Sequence, residues 1–249
     1  MRLAALYDIH GNLPALEAVV AELGREEVTA VVIGGDVLPG PMPCETLDAL
    51  RALPWPVLGI HGNGESAVRA VLAGGPPPAI PAAALEVVTW CANALRPADR
   101  AIVEHWPSTV RLRHPTLGQL LFCHATPRND TEIFTAATPD EVLRPIFDAA
   151  GADVVVCGHT HIPFDRQVGR TRVVNAGSVG MPFGLPGASW LLLGESIEFR
   201  HTDYDLQAAA SRIRAGDYPQ REQFAERNVL HPPEAGETQA ALERNAVRA

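Results

Sequence analysis

Short, fully apolar segments separated by single helical patterns constrain this chain more than any other feature of its sequence. Residues 3–7, 30–33 and 57–60 are strand-length and lack the polar alternation of a half-exposed strand, so they predict strands buried on both faces. Between the first two, Leu13, Leu16, Val19, Val20 and Leu23 trace one helical face, and further helices are expected over 44–53 and 65–72. Strands joined through single helices imply right-handed crossovers and a parallel sheet.

The second half differs. After a Pro/Gly-rich connector at 74–81 and two helical stretches ending near His105, residues 110–113 and 117–122 predict a hairpin turning at Pro115. A helix is expected over 141–149, a buried strand over 154–156, and strands and turns alone over 163–201. The polar tail from Asp203 is expected to be helical, with Leu206, Ile213, Tyr218 and Phe224 as docking points. An αβ half followed by a β-rich half predicts an α/β fold of two packed sheets flanked by helices, a four-layer α/β/β/α sandwich. A length of 249 residues with 47% hydrophobic content suits one domain over 1–249, with a core of about 1–202 and a helical tail over 203–249.

Several function classes are disfavoured. No stretch approaches the roughly 20 apolar residues that a membrane helix needs, and the apolar N-terminus runs into Asp8 and His10 too soon for a signal peptide. Cys44, Cys91, Cys123 and Cys157 are scattered without a CxxC pair, which suits a reducing cytoplasm. The net charge of −9 argues against non-specific nucleic-acid binding. All 20 basic residues are Arg, which excludes a Walker-type phosphate-binding Lys and a Lys Schiff base.

Each expected strand ends in residues that bind metals. The first runs into Asp8-Ile9-His10-Gly11-Asn12, the second into Gly34-Gly35-Asp36, and the third into Gly62-Asn63-Gly64-Glu65. The hairpin strand ends in Cys123-His124-Ala125 and the late strand in Gly158-His159-Thr160-His161. Residues two apart in extended chain point the same way, so Asp8 and His10 are expected to reach one ion. Sites in open α/β sheets gather beyond the carboxyl ends of the strands, where all of these residues fall. Each motif alone has a bland alternative: a turn or helix cap for Asp36, a core His for His124, a turn residue for Asn63. A chance origin does not account for their joint order.

The order DxH, GDxx, GNxE, a lone His and GHTH resembles the calcineurin-like metallophosphoesterases, most closely their small bacterial and archaeal members, whose first motif continues as DIHGN. Asn175-Ala176-Gly177-Ser178 is similar to the family's NxGS segment. The resemblance implies two divalent ions (Mn, Fe, Zn, Co or Ni), one held by Asp8, His10 and His161, the other by Asn63, His124 and His159, with Asp36 bridging. Two such ions would outweigh Asp8, Asp36 and a hydroxide between them, leaving a positive centre for an anionic phosphate. The implied activity is hydrolysis of a small phosphate ester by water activated between the ions, without a protein nucleophile. Asp36 and Asn63 are accordingly the expected catalytic residues.

One position departs from the family pattern. Where relatives carry His, or sometimes Cys, after the motif Asn, this chain has Gly64, which has no side-chain proton to give. General acids supply a factor of about 10²–10⁴, so activated esters or diesters are favoured, or a substitute acid exists. His61 is the first candidate substitute and equally a hydrogen-bonded turn residue. Asn12 either contacts substrate phosphate or caps the helix from Leu13, and Arg128 either binds the far side of the ester or is solvated. A phosphodiester substrate is expected ahead of a small phosphomonoester, and either ahead of a phosphoprotein. A protein-binding scaffold of the same fold, as in a retromer coat subunit, is the non-enzymatic alternative. The retained ligand set argues against it. A dimetal hydrolase barrel would need about eight β/α repeats that the β-rich half does not supply. The tail could cover the core or meet a second subunit.

Overall fold

The computed structural model describes residues 1–75 and 80–247. Residues 76–79 of the expected connector lie outside the described residues. Three apolar runs form parallel strands, β1 (Leu3–Leu6), β2 (Ala30–Gly34) and β3 (Val57–Ile60). They are linked by α1 (Leu13–Leu23) and α2 (Pro43–Arg51). Then follow α3 (Asn63–Leu72), α4 (Ala82–Ala94) and α5 (Pro97–His105). The expected hairpin is β4 (Thr109–His114) with β5 (Gly118–Cys123), antiparallel with His114 opposite Gly118. Helix α6 (Asp140–Asp148) leads to β6 (Val154–Cys157), β7 (Phe164–Val168), β8 (Thr171–Asn175), β9 (Ala188–Leu193) and β10 (Ile197–Thr202).

These strands make two five-stranded mixed sheets, in the orders β10-β9-β1-β2-β3 and β4-β5-β6-β8-β7. Alternation along β1 distributes its side chains. Leu3, Ala5 and Tyr7 enter the layer between the sheets with Leu120, Phe122, Val154, Val156 and Leu191. Ala4 and Leu6 face outward with Val31, Ile33 and Trp190 against α1 to α4. On the other flank, Leu121, Val155 and Val173 pack against Leu143, Ile146 and Phe147 of α6. The result is the expected four-layer α/β/β/α arrangement. Full burial of each such aliphatic side chain contributes roughly 1.5–3 kcal/mol, so the double-sided burial of β1 and β2 makes them the rigid base of the loops beyond their ends.

The tail consists of α7 (Leu206–Arg214), α8 (Arg221–Phe224), a π-helical stretch Ala225–Leu230 and α9 (Ala235–Glu243). Ile213, Tyr218, Phe224, Ala225 and Val229 are buried together with Val87 of α4, and Leu206 packs against that cluster. Tyr218 meets Trp90 edge-on, with ring centroids 5.3 Å apart. Beyond α9, the Val247 N–H donates to the Ile133 carbonyl at 2.9 Å. Among the described residues no helix is long and apolar enough to cross a membrane, and all four cysteines are free thiols.

Candidate metal centre

The loops beyond β1, β2, β3, β5 and β6 meet at one edge of the two sheets. Sheet-like pairing continues between the first two, where Asp8 N donates to Gly35 O at 3.1 Å and His10 N to Asp36 O at 2.9 Å. The chain there is not extended, however. Asp8, His10, Asp36, His159 and His161 all have left-handed backbone, with φ of 54°, 47°, 49°, 66° and 58°. Asp8 and His10 therefore converge through two left-handed turns rather than through strand alternation. Such conformations cost roughly 1–3 kcal/mol each outside glycine and concentrate at functional sites.

Buried carboxylates and imidazoles share this edge. His161 Nε2 lies 3.2 Å from Asp8 Oδ1 and 3.4 Å from His10 Nε2. His10 Nε2 is 3.7 Å from Asp36 Oδ2, while His124 Nε2 is 3.5 Å from Asp36 Oδ1 and 3.9 Å from Asp8 Oδ1. Asn63 Oδ1 is 3.0 Å from His124 Nε2. Two groups of ligand atoms thus form, Asp8–His10–His161 and Asp8–Asp36–His124, with Asp8 common to both. His159 stands further out: its ring meets that of His124 at 5.2 Å between centroids, and it joins neither group.

The donor chemistry fits a cation. The Nδ1 atoms of His10, His124 and His161 face the carbonyls of Pro39, Gly34 and Met181 at 3.3, 2.9 and 2.7 Å. An Nδ1–H donated to each carbonyl leaves the Nε2 lone pair facing the cluster, as in metal-binding histidines. Asp8 Oδ1 is buried in their midst and accepts no hydrogen bond among the described residues. Lone pairs that converge at such distances repel one another unless protons or metal ions stand between them.

Electrostatics point the same way. Burial opposes the charge of Asp36, but His124 outweighs it and holds the carboxyl well below its usual range; burial likewise opposes Asp8, and His161 with His124 outweighs it. Burial works against protonated His124, yet Asp36 raises it to about 10, and Asp8 similarly raises His161. Burial dominates at His10, which is lowered, and at His159, which falls to about 4. The centre holds two anions that demand positive charge.

A second layer of contacts positions these groups. Glu65, fully buried in α3, accepts from the N–H groups of Asp36 and Gly62, both at 2.8 Å, and of Leu38 at 2.9 Å. It joins the loop after β2 to the turn before α3. Burial and the nearby Asp36 charge raise its carboxyl to about 7. Gly64 N donates to Asp36 Oδ1 at 2.7 Å. Asn175 Nδ2 donates to Gly158 O at 2.6 Å and Ser178 Oγ to Asp8 O at 2.7 Å, so this segment braces two ligand loops from behind.

The remaining sequence candidates lie elsewhere. Asn12 is fully buried; its Oδ1 caps α1 through Ala15 N, and its Nδ2 donates to Gly180 O and Tyr204 Oη. Arg128 is exposed and paired with Glu132. His61 Nδ1 lies 3.2 Å from Ser66 Oγ and 3.4 Å from Asp130 Oδ2, and Ser66 donates to Asp130. Ser66, unlike His61, lines the cavity of about 480 Å³ that contains His10, Asp36, Asn63 and Gly64. Ser66 directly follows the Gly62-Asn63-Gly64-Glu65 motif, but nothing local links it to Asp130. Only the three-dimensional pairing singles them out.

Residues 1–195 match the model of the calcineurin-like phosphoesterase superfamily domain. The chain belongs to that superfamily. Among its relatives, the uncharacterized protein MJ0912 of Methanocaldococcus jannaschii is 25% identical over 239 residues, covering 88% of this chain and 94% of the relative. The phosphodiesterase YfcE of Escherichia coli K12 is 26% identical over 206 residues, covering 79% and 89%. In fold, the chain is similar to the hypothetical protein PH1004 of Pyrococcus horikoshii, with a TM-score of 0.76, 20% identity and coverage of 93% and 99%. It is also similar to a metallophosphoesterase of Sphaerobacter thermophilus, with a TM-score of 0.70, 23% identity and coverage of 92% and 99%.

Proposed function

We propose that this chain is a metal-dependent phosphoesterase acting on small phosphate esters, with phosphodiesters its favoured substrates. One observation carries the proposal: Asp8 Oδ1, buried and without a hydrogen bond among the described residues, faces three imidazole Nε2 atoms within 3.9 Å. The phosphodiesterase name of the E. coli relative supports the preferred class.

In this proposal Asp8, His10 and His161 would hold one divalent ion and Asn63, His124 and His159 the other, with Asp36 shared between them. Bound there, the ions would supply Lewis acidity and lower the pKa of water. The chain's own contribution is geometry. Glu65 and the Gly64 amide fix Asp36, backbone carbonyls fix the tautomers of three histidines, and Asn175 and Ser178 brace the loops. The apolar wall of Ala67, Ile80, Ala84, Val87 and Val88 beside the centre limits water and accepts an organic substituent of the ester. No side chain projects from Gly64, so the proton for the leaving oxygen would come from the Ser66 hydroxyl turned away from Asp130, with Ser66 Oγ regaining a proton from protonated His61 Nδ1.

The test is hydrolysis of bis(4-nitrophenyl) phosphate and 4-nitrophenyl phosphate by chelated protein and after Mn²⁺ is restored. Metal-dependent turnover that is faster on the diester and lost in Asp36→Asn is expected. Metal binding without turnover of either ester would defeat the proposal and favour a scaffold role.

A further inference from the structure

Beside the metal centre, a second cavity of about 500 Å³ opens between α4 and the tail. His10 and Pro39 line its inner side, continuous with the first cavity, and Gln223, Arg227 and Asn228 line its outer side. We propose that these three residues form a second subsite of the cleft, which selects phosphate esters carrying a second anionic group. The inference rests on the phosphoesterase reading, because the scissile phosphate is placed at the metal centre.

The outer wall is built rather than incidental. Phe224, Ala225 and Val229 bury the inner face of the segment against Val87, and Gln220 Nε2 ties it to α4 through Ala83 O at 2.8 Å. Gln223, Arg227 and Asn228 stand at i, i+4 and i+5, a spacing that keeps them on one face where the helix widens into π geometry. Their neighbours are engaged: Arg214 pairs with Glu222 and Glu226, and Arg221 donates to Tyr218 O. Gln223, Arg227 and Asn228 make no side-chain hydrogen bond or ion pair among the described residues.

The chemistry of the lining selects the ligand. Among the described residues, Arg227 is the only Arg lining either cavity, while Asp36 is the only carboxylate and belongs to the candidate metal centre. A guanidinium fork suits a phosphate or carboxylate, and two neighbouring amides add neutral donors. With a net charge of −9, the chain as a whole does not draw anions, so capture of a second anion falls to this local cation. The segment also lies beyond residues 1–195, the part that matches the superfamily domain. It would therefore set the specificity of this chain without altering the chemistry at the centre.

The test uses unhydrolysable ligands: α,ω-alkane bisphosphonates of two to six carbons and the matched monophosphonates, titrated calorimetrically into Mn²⁺-loaded native protein and Arg227→Gln. At the best chain length the bisphosphonate is expected to bind native protein about 10-fold more tightly than its monophosphonate. In Arg227→Gln that advantage is expected to fall to within about 2-fold, with monophosphonate affinity unchanged. An advantage that persists in Arg227→Gln reflects chelation rather than this subsite and overturns the proposal, as does no advantage at any length. Failure of the phosphoesterase reading has its own signature, monophosphonate binding that is absent or indifferent to EDTA, and it removes the two-point site with it.

Discussion

A Cβ placed on Gly64 would lie 2.0 Å from the carbonyl oxygen of Leu38. This position is therefore closed to a side chain, because the backbone of the loop after β2 occupies the space that one would need. Restoring the family residue with Gly64→His is expected to remove activity rather than improve it. The clash is with backbone, so relief must displace the Gly64 amide from Asp36 Oδ1, the bond that orients the central carboxylate. Overpacking of this kind costs about 1–3 kcal/mol. Thermal unfolding and metal content, measured on Gly64→His and Gly64→Ala together, check it. A stable Gly64→His protein with faster hydrolysis of alkyl esters would show that the loop yields.

Asp8 Oδ1 gives a second prediction. This buried oxygen, without a hydrogen bond among the described residues and faced by imidazole nitrogens, gains most when a cation binds. Metal binding is expected to stabilise the fold by about 2.7 kcal/mol when free metal is 100 times its dissociation constant. Calorimetric unfolding with EDTA and with Mn²⁺ measures the difference directly. Asp8→Asn should abolish most of it, and an unfolding temperature indifferent to metal would contradict the centre.

How much of this was legible in the sequence depends on the range of the interaction. The candidate ligands Asp8, Asp36, His124 and His161 lie in the short loops that follow apolar strands, and the doubly buried strands position them, so local pattern predicts both the fold and the meeting place. The backbone route was not legible. Nothing in Asp8-Ile9-His10 announces two left-handed residues, because that conformation is imposed by pairing with Gly35 and Asp36. Asn12 shows the same limit: its amide is committed to Gly180 and Tyr204, 168 and 192 residues away. Ser66 and Asp130 are joined by tertiary packing alone.

Far from the centre, Asp99 predicts acid sensitivity. Its carboxylate is fully shielded, with Arg96 Nε at 2.6 Å and Arg51 Nη2 at 2.8 Å, and it also accepts from the Arg96 N–H. Burial opposes its ionisation, but Arg96 and Arg51 outweigh burial and hold the carboxyl well below the usual range. The unfolded state therefore takes up the proton first as pH falls. The stabilisation is complete above the ordinary carboxylate pKa of about 4 and is lost as pH falls through the lowered folded value. Asp99→Asn is expected to cost about 1–3 kcal/mol at pH 7, with the gap from native protein closing below about pH 4. Urea unfolding of both proteins from pH 7 to pH 3 measures it. A gap that widens in acid would reverse the sign of the linkage.

Ser66 and His61 make a prediction about leaving groups. His61 does not line the cavity, whereas Ser66 does, and the Ser66 hydroxyl lies between His61 Nδ1 and Asp130. Proton delivery along this route matters little for 4-nitrophenolate, which leaves readily as an anion, and matters most for an alkoxide. Ser66→Ala and His61→Gln are each expected to reduce kcat on an alkyl phosphodiester at least about 10-fold more than on bis(4-nitrophenyl) phosphate. A purely structural role for the pair would lower both substrates by the same factor, since a loosened metal centre does not distinguish leaving groups. Comparing kcat across aryl and alkyl diesters of graded leaving-group pKa, for native protein and both variants, separates the two. A steeper dependence in the variants supports proton delivery through Ser66, and parallel lines would sink it.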